Sequence, residues 1–377
     1  MVIKYKSHLK TLIIDKLLPG VVYSICFLLL HFSDVSAENN GPWFYKGYNY
    51  GSQANYNPLA LHVNSSFDIL QITNRNNDPF SISYDRALHN VTWNLSHAGS
   101  VIKQYGWRRF IETEVFPTTI SLKNAQYWPN YKLHLIGGGM TYIAITEWFK
   151  YHRYKYPRVL SWITMGSYHF LNEIVENNRY VGPNVDPIAD IMIFDPLGIA
   201  LFSIRGVPQF FANRLNMADW SFQPLYDFRT RTLVNNGQKF SFKVKLPYLN
   251  RWSFFYLTGT EGLAGLTYKY KDSDNITVGY GLSARELKEI DNNTGVRTLT
   301  TRLIQTGGIF YDRNNSLLAS LIFGGPRGYI ARMNIYPNSL KVNFNSPGFV
   351  IAYQDDNTIT LGIIFHFVII SPGFSMK

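Results

Sequence analysis

The feature that most constrains the fold is a series of short alternating segments after Trp220. In the segment from Gln238 to Leu246, the even positions from 240 onward are Phe, Phe, Val and Leu, and the odd positions are Lys or Ser. Successive side chains of a strand point to opposite faces of its sheet. This period of two therefore predicts a strand with one apolar face.

Eight further segments with this character follow, separated by turn residues such as Asp, Asn and Gly. They are Trp252 to Thr260, Leu263 to Lys271, Ile276 to Leu282, Thr298 to Tyr311, Leu317 to Phe323, Tyr329 to Ile335, Gly348 to Tyr353 and Thr358 to Phe367. The sequence predicts about nine strands, joined mainly as hairpins.

Alternating strands with short polar turns are typical of a transmembrane β-barrel, in which closure satisfies every backbone group in lipid. A soluble β-sandwich or lipocalin-like barrel has the same alternation with its apolar face inward. We favour the membrane barrel. The segment Thr360 to Phe367 is similar to the closing strand of such barrels, although the chain continues from Val368 to Lys377.

A helical module is predicted upstream of these strands. Three long apolar stretches, Leu133 to Phe149, Val159 to Val175 and Ile188 to Ile204, are each long enough for a helix. Each contains ionisable residues, and a charge at bilayer depth costs about 2.5–3.5 kcal/mol. The sequence therefore does not require these helices to span a membrane.

The fold class that follows is α+β, with a helical module of about three apolar helices and a C-terminal antiparallel β-barrel, favoured as the membrane type. We divide the chain into a signal peptide at 1–37, a polar N-terminal region at 38–130, a helical module at 131–215 and a β-barrel-like domain at 216–377. In the polar region we expect a few strands and a helix near His97 to Phe110.

The N-terminus has the pattern of a secretory leader. Four lysines precede an apolar run from Leu17 to Phe32, and the small residues Val35 and Ala37 precede a polar stretch. We expect cleavage after Ala37, with an uncleaved membrane anchor as the alternative. Cys26 is the only cysteine, so the mature chain would form no disulfide, which favours a bacterial exported protein.

The charge and the aromatic content of the chain indicate which kinds of partner it binds. The net charge is +11, but the basic residues are scattered, which argues against nucleic acid and favours membrane lipid or lipopolysaccharide. Aromatic residues make up 16 % of the chain, a content that suits a membrane–water interface. No sequence feature identifies a protein partner.

Polar residues in the helical module form the candidate site. They are His134, His169, Glu173, Glu176, Asp186, Asp190 and Asp195. Such a cluster suits a divalent cation, an acid/base pair or a polar lipid headgroup. The alternative is ordinary helix chemistry, with Asp186 and Asp195 as N-caps before prolines and His169 paired with Glu173 one turn later. Gly137-Gly138-Gly139 favours close helix packing.

The order of these residues resembles that in small envelope proteins. Lys132 and His134, then Glu173, then Asp190 and Asp195 follow the Lys/His, Glu, Asp…Asp…Gly order of YfiM-like lipoproteins and VanZ-like membrane proteins. It is also similar to outer-membrane proteins in which such a module accompanies a barrel. The resemblance covers roughly 130–203 and implies a location in the envelope.

Our functional hypothesis is a non-enzymatic outer-membrane protein that maintains the envelope or binds lipid, with the periplasm as the alternative location. The sequence lacks a nucleophile elbow, a Walker loop, a dinucleotide fingerprint and a His-Glu-X-X-His motif, so we assign no cofactor and no metal. Two alternatives stay open: a lipid-modifying enzyme that uses the polar cluster, and a small pore.

Overall fold

A computed structural model describes residues 42–71, 78–118, 126–178, 181–291, 297–339, 346–366 and 368–377, without the side chains of 286–291 and 297–301. The fold is α+β, with a helical N-terminal half and a large, mostly antiparallel sheet in the C-terminal half. The predicted leader lies outside the described residues.

The N-terminal region is helical in its described part, so the expectation of a few strands there was wrong. Its helices are α1 (Ser52–Asn55), α2 (Pro58–Ser66), α3 (Tyr84–Ser96), α4 (Ala98–Tyr105) and α5 (Trp107–Phe110), which continues as a π-helix over Ile111–Val115. Asn57 caps α2, because its side chain accepts hydrogen bonds from the Leu59 and Ala60 amides. The apolar run after Phe67 forms a short 3₁₀-helix, in which the buried Leu70 packs beside Val175.

The three predicted helices of the module are confirmed. Helix α6 runs through Tyr127–Pro129, a π-helical stretch at Asn130–Gly138, and Gly139–Tyr151. Helix α7 is Pro157–Glu176, and α8 runs through Asp186–Ala189, a π-helical turn at Asp190–Phe194, and Asp195–Ser203. A short helix, α9, follows at Val207–Gln209 and Phe210–Arg214.

In the described part of the chain, no helix by itself has the length and apolar content needed to cross a bilayer. The pair Asp186–Ser203 and Val207–Arg214, bent by 86°, meets that requirement by length and composition when taken together.

All nine predicted strands are present, and the described residues contain four more. The strands are β1 (Ala218–Asp219), β2 (Leu225–Asp227), β3 (Thr232–Val234), β4 (Phe240–Lys245), β5 (Trp252–Thr258), β6 (Glu261–Lys269), β7 (Asp274–Asp291), β8 (Arg297–Arg313), β9 (Ser316–Phe323), β10 (Tyr329–Ile335), β11 (Gly348–Gln354), β12 (Ile359–Ile364) and β13 (Ser371–Met376). Their order in the sheet is β1-β4-β5-β6-β7-β8-β9-β10-β11-β12-β13-β2-β3.

The C-terminal run after Val368 corrects the sequence interpretation. We expected the last strand to end near Phe367, but Ser371–Met376 forms a further strand that pairs with β12 on one side and with β2 on the other. Its pairing with β2 is parallel. The residues after Val368, which depart from the pattern of a closing strand, therefore contain a strand of their own.

Two short ladders, one at each end of the strand order, share one register. Ala218 pairs with Ser241 in the β1–β4 ladder, and Leu225 pairs with Val234 in the β2–β3 ladder. Between the ladders, the Phe222 amide donates to the Gly237 carbonyl over 3.0 Å. Residues 218–227 and 232–245 therefore form one long hairpin.

The two faces of the sheet differ in chemistry. In β12, the exposed residues are Ile359, Leu361 and Ile363, while Thr360 is buried. The buried face of the sheet also holds ion pairs, such as Lys243 with Asp312 at 2.8 Å. The exposed face is apolar, and the buried face is rich in polar groups.

The helices pack against the long hairpin. Phe240 of β4 belongs to the same apolar core as Met140 of α6 and Phe202 of α8. The Asn64 side chain of α2 donates to the Phe222 carbonyl and accepts from the Gly237 amide. The apolar core thus joins α6 and α8, which carry part of the polar cluster, to the sheet, and the Asn64 contacts join α2 to it.

Candidate functional site

Three helices bring the polar residues together. Helix α6 contributes His134, α7 contributes His169 and Glu173, and α8 contributes Asp190 and Asp195. All five side chains are buried. Together with the partly buried Asp186 of α8 they form two adjoining triplets: His134, His169 and Asp195, and then Glu173, Asp186 and Asp190.

Glycines allow the helices to approach so closely, as the Gly137-Gly138-Gly139 sequence predicted. A Cβ atom on Gly139 would lie 2.6 Å from the Gly198 carbonyl oxygen, and one on Gly198 would lie 2.7 Å from the His134 carbonyl oxygen. Helices α6 and α8 therefore meet through their backbones. Asp195 lies one turn before Gly198, so this contact brings its carboxylate to His134.

Local π-helical turns help to aim two of the side chains. His134 lies within the π-helical stretch Asn130–Gly138, and Asp190 begins the π-helical turn Asp190–Phe194. A π-turn inserts one residue into a helix and changes the direction of the side chains that follow, and such turns are frequent at functional sites.

In the first triplet, Asp195 lies between two imidazoles. Its Oδ1 is 2.9 Å from His134 Nδ1, and its Oδ2 is 2.5 Å from His169 Nδ1. The two imidazole ring centroids are 4.7 Å apart. Each carboxylate oxygen thus faces one imidazole nitrogen.

Burial and charge shift the pKa values in this triplet. Desolvation lowers the pKa of His169 below its ordinary value and outweighs the opposing effect of Asp195. For Asp195, desolvation is the largest effect and favours the neutral form. The two imidazoles together outweigh it and leave the Asp195 pKa lowered. The site therefore favours neutral His169 beside an ionised Asp195.

The second triplet is acidic. Desolvation raises the pKa of Glu173 and of Asp190 well above the ordinary values, and the nearby Asp186 raises both further. The triplets touch where His134 Nε2 lies 3.2 Å from Asp190 Oδ2. This arrangement can hold protons or a cation.

The helix-cap interpretation of Asp186 and Asp195 was wrong. No side-chain cap hydrogen bond is found where α8 begins, and Asp195 lies inside α8 with its carboxylate on the two histidines. The side chain that accepts a hydrogen bond from a backbone amide at the start of α8 is that of Asn184, which accepts from the Asp186 amide. An Asp-Pro pair in sequence does not show which way its carboxylate points.

The expected pairing of His169 with Glu173 takes a different form. Both are buried on one face of α7, but His169 faces Asp195, and Glu173 belongs to the acidic triplet. Glu176, the third residue of this face, is half-buried and raises the pKa values of Glu173 and Asp68 by its charge.

The structure adds residues that the sequence interpretation missed. Glu114, in the π-helix after α5, is buried and affects the Asp190 carboxylate by its charge, and its own pKa is raised to about 7, mainly by desolvation. Asn177 joins the cluster through a bond to Glu173 and accepts from the Asn184 side chain over 2.9 Å. No spacing in the sequence links Glu114 to α8.

Comparisons with protein-family models, with curated proteins and with solved structures find no match. The resemblance of residues 130–203 to YfiM-like and VanZ-like proteins therefore stays a prediction.

Proposed function

We propose that this chain is a non-enzymatic β-barrel protein of the bacterial outer membrane, which maintains the envelope or binds lipid. The observation that carries the proposal is the orientation of the alternating side chains in the sheet, which is the reverse of that in a soluble barrel. Apolar side chains occupy the exposed face, while charged and hydroxyl side chains are enriched on the buried face.

Strand β7 illustrates the argument for lipid as the solvent of the exposed face. Val278 is 56 % exposed and Tyr280 is 59 % exposed. Thr277, which precedes Val278, is fully buried. Exposure of so many large apolar side chains to water would be costly and would favour aggregation. In a membrane barrel the same pattern is the expected one.

The pairing of the strands supports closure of the sheet into a barrel. The long hairpin of residues 218–227 and 232–245 pairs with β13 through β2 and with β5 through β4. Its two arms share one register from Ala218 to Asp227. One hairpin thus joins the first and last strands of the series β5 to β13, and closure satisfies the backbone groups at both edges.

Aromatic residues at one end of the strands fit a membrane interface. Trp252 at the start of β5 pairs with Tyr268 near the end of β6, with ring centroids 5.0 Å apart. Tyr248 and Tyr270, in the turns at the same end, are both exposed. Such a girdle anchors outer-membrane barrels, and the net charge of +11 suits anionic lipid or lipopolysaccharide headgroups.

The buried face disfavours the alternative of a small pore. The rings of Trp220, Phe255 and Phe310 pack together with centroids 5.5–5.7 Å apart. Glu261 pairs with both Lys239 and Arg332 on the same buried face. In the described residues, these side chains fill space that an aqueous channel would need.

The alternative of a lipid-modifying enzyme rests on one observation, the orientation of two imidazoles by Asp195. An acid/base pair needs such orientation. Replacing Glu173 and Asp190 by Ala separates the hypotheses. Lost lipid modification in cells that still fold the protein would favour an enzyme, and unchanged envelope lipids would exclude it.

The direct experiment compares two apolar-to-lysine substitutions. Val278→Lys places a charge on the exposed face of β7, and Leu88→Lys places one on the solvated face of α3, beside Asp85 and His89. In lipid vesicles, Val278→Lys should lower the free energy of unfolding by about 2–4 kcal/mol if residue 278 lies near the bilayer midplane. Leu88→Lys should change it by about 0.5 kcal/mol or less.

Membrane fractionation provides the second measurement. We expect the chain to stay in carbonate-washed membranes and to migrate faster in unheated detergent gels than after boiling. Equal stability of the two lysine variants, together with release by carbonate, would reject the membrane barrel.

A further inference from the structure

We propose that His134, His169 and Asp195 bind one first-row divalent transition-metal ion such as Zn²⁺. The site does not depend on the membrane location proposed above, and it departs from the sequence interpretation, which assigned no metal.

The ligand atoms converge from three helices. His134 Nδ1 and His169 Nδ1 lie 2.9 and 2.5 Å from the two oxygens of Asp195. Two imidazole nitrogens and a carboxylate favour Zn²⁺ and its neighbours over Ca²⁺ or Mg²⁺, which prefer oxygen ligands. Zinc bonds of about 2.0–2.1 Å place tetrahedral ligands roughly 3.3 Å apart, so the side chains need to separate by under about 1 Å.

The cluster also contains a buried polar atom without a partner. Asp190 Oδ1 is buried and has no hydrogen-bond partner in the described part of the chain. An unsatisfied buried polar atom costs about 1–3 kcal/mol. The cluster therefore has a polar group that a ligand bound there could satisfy.

Asp190 is placed as an outer-shell residue. Its Oδ2 lies 3.2 Å from His134 Nε2, on the side of the ring opposite the nitrogen that faces Asp195. Histidines that bind metals commonly donate their other N–H to a carboxylate, which fixes the ring and raises its basicity. His134 lies between Asp195 and Asp190 in this arrangement.

The charge of the site also favours a cation. Glu173, Asp190 and Asp195 are buried, and none of the three has a Lys or Arg ion-pair partner within the described residues. Buried carboxylates need protons, cationic partners or a metal. The two imidazoles alone do not balance the charge of three carboxylates, and a divalent ion would add the positive charge that is needed.

The experiment measures zinc binding to the folded full-length chain after chelator treatment, by calorimetry and elemental analysis. We expect one Zn²⁺ per chain in the wild type. His169→Gln should weaken binding at least 10-fold, and Asp190→Asn should weaken it about 10–100-fold, as outer-shell changes do. The matched control is His89→Gln, because His89 is exposed on α3 and none of the cluster residues belongs to that helix; it should bind zinc like the wild type.

X-ray absorption of the zinc-loaded wild type keeps the inference testable if His169→Gln does not fold. We expect two imidazole nitrogens among the nearest ligands. A wild type that binds no zinc, a His169→Gln variant that binds it unchanged, or a spectrum without imidazole ligands would each overturn the proposal. None of these results would bear on whether the sheet lies in a membrane.

Discussion

Asp195 Oδ1 lies 2.9 Å from His134 Nδ1, although 61 residues separate them along the chain. The contact joins α6 to α8 at the point where Gly139 and Gly198 let the two helices meet. The carboxylate also reaches His169 of α7 through its other oxygen. Asp195 therefore links all three long helices of the module.

Replacing Asp195 should be costly. In Asp195→Asn the carboxylate no longer accepts from both imidazoles, and loss of a hydrogen bond to a buried charged group costs about 1.5–3 kcal/mol. The exposed Asp85→Asn is the control and should change stability by about 0.5 kcal/mol or less. Denaturant unfolding of metal-free protein measures both. An Asp195→Asn variant as stable as the wild type would contradict this role.

Two glycine-to-alanine substitutions should have opposite effects. In Gly198→Ala the new methyl group would lie 2.7 Å from the backbone oxygens of both His134 and Leu135, so the helices must separate, at a cost of about 1–3 kcal/mol. At Gly166 of α7 a methyl group would meet nothing within 4 Å, so Gly166→Ala should stabilise the helix by about 0.5–1 kcal/mol. Thermal unfolding of both variants tests the packing. Stabilisation by Gly198→Ala would show that the helices do not meet there.

Glu147 should make stability depend on pH. Its carboxylate accepts hydrogen bonds from the Trp43, Phe44 and Tyr45 amides, yet desolvation dominates and raises its pKa from 4.5 to about 7. The folded state then binds more protons than the unfolded state between these values, so the stability that Glu147 contributes falls as the pH rises from 4.5 to 7.

Glu147→Gln should remove this contribution. The stability difference between wild type and variant, measured by urea unfolding, should favour the wild type less at pH 8 than at pH 5. A difference that grows with pH would mean that the three amide bonds outweigh desolvation.

The buried pair of Lys243 and Asp312 should be coupled. Lys243 Nζ lies 2.8 Å from both Asp312 oxygens, and both side chains are buried. Lys243→Met leaves a buried carboxylate and should cost about 3–5 kcal/mol, whereas Lys243→Met with Asp312→Leu should cost less. A double-mutant cycle measures the coupling, and additive effects would show that the pair is not coupled.

The sequence predicted the parts of the fold that local patterns determine. The nine strands from β4 to β12 and the helices α6 to α8 follow from periods of two and of about 3.6. Strands β1 to β3 have only two or three residues each, and pairing with distant partners creates them. Strand β13 contains Pro372 and Gly373, which indicate a turn when read locally.

The candidate site was predictable by residue but not by geometry. His134, His169 and Asp195 could be chosen because ionisable groups are rare in apolar helices. Their contact depends on π-helical turns and on close helix packing, neither of which a local pattern specifies. The Asp-Pro pairs gave a local signal for caps that tertiary contacts override.

The most direct test of the central claim, that the exposed face of the sheet lies in lipid, is paramagnetic broadening of methyl NMR signals in lipid vesicles. A nitroxide on the lipid chains should broaden the methyl signals of Ile359, Leu361 and Ile363 of β12 more than those of the buried Val350 and Ile364. A water-soluble paramagnetic chelate should leave the first three sharp. Broadening of Ile359, Leu361 and Ile363 by the chelate, but not by the lipid nitroxide, would contradict the membrane barrel.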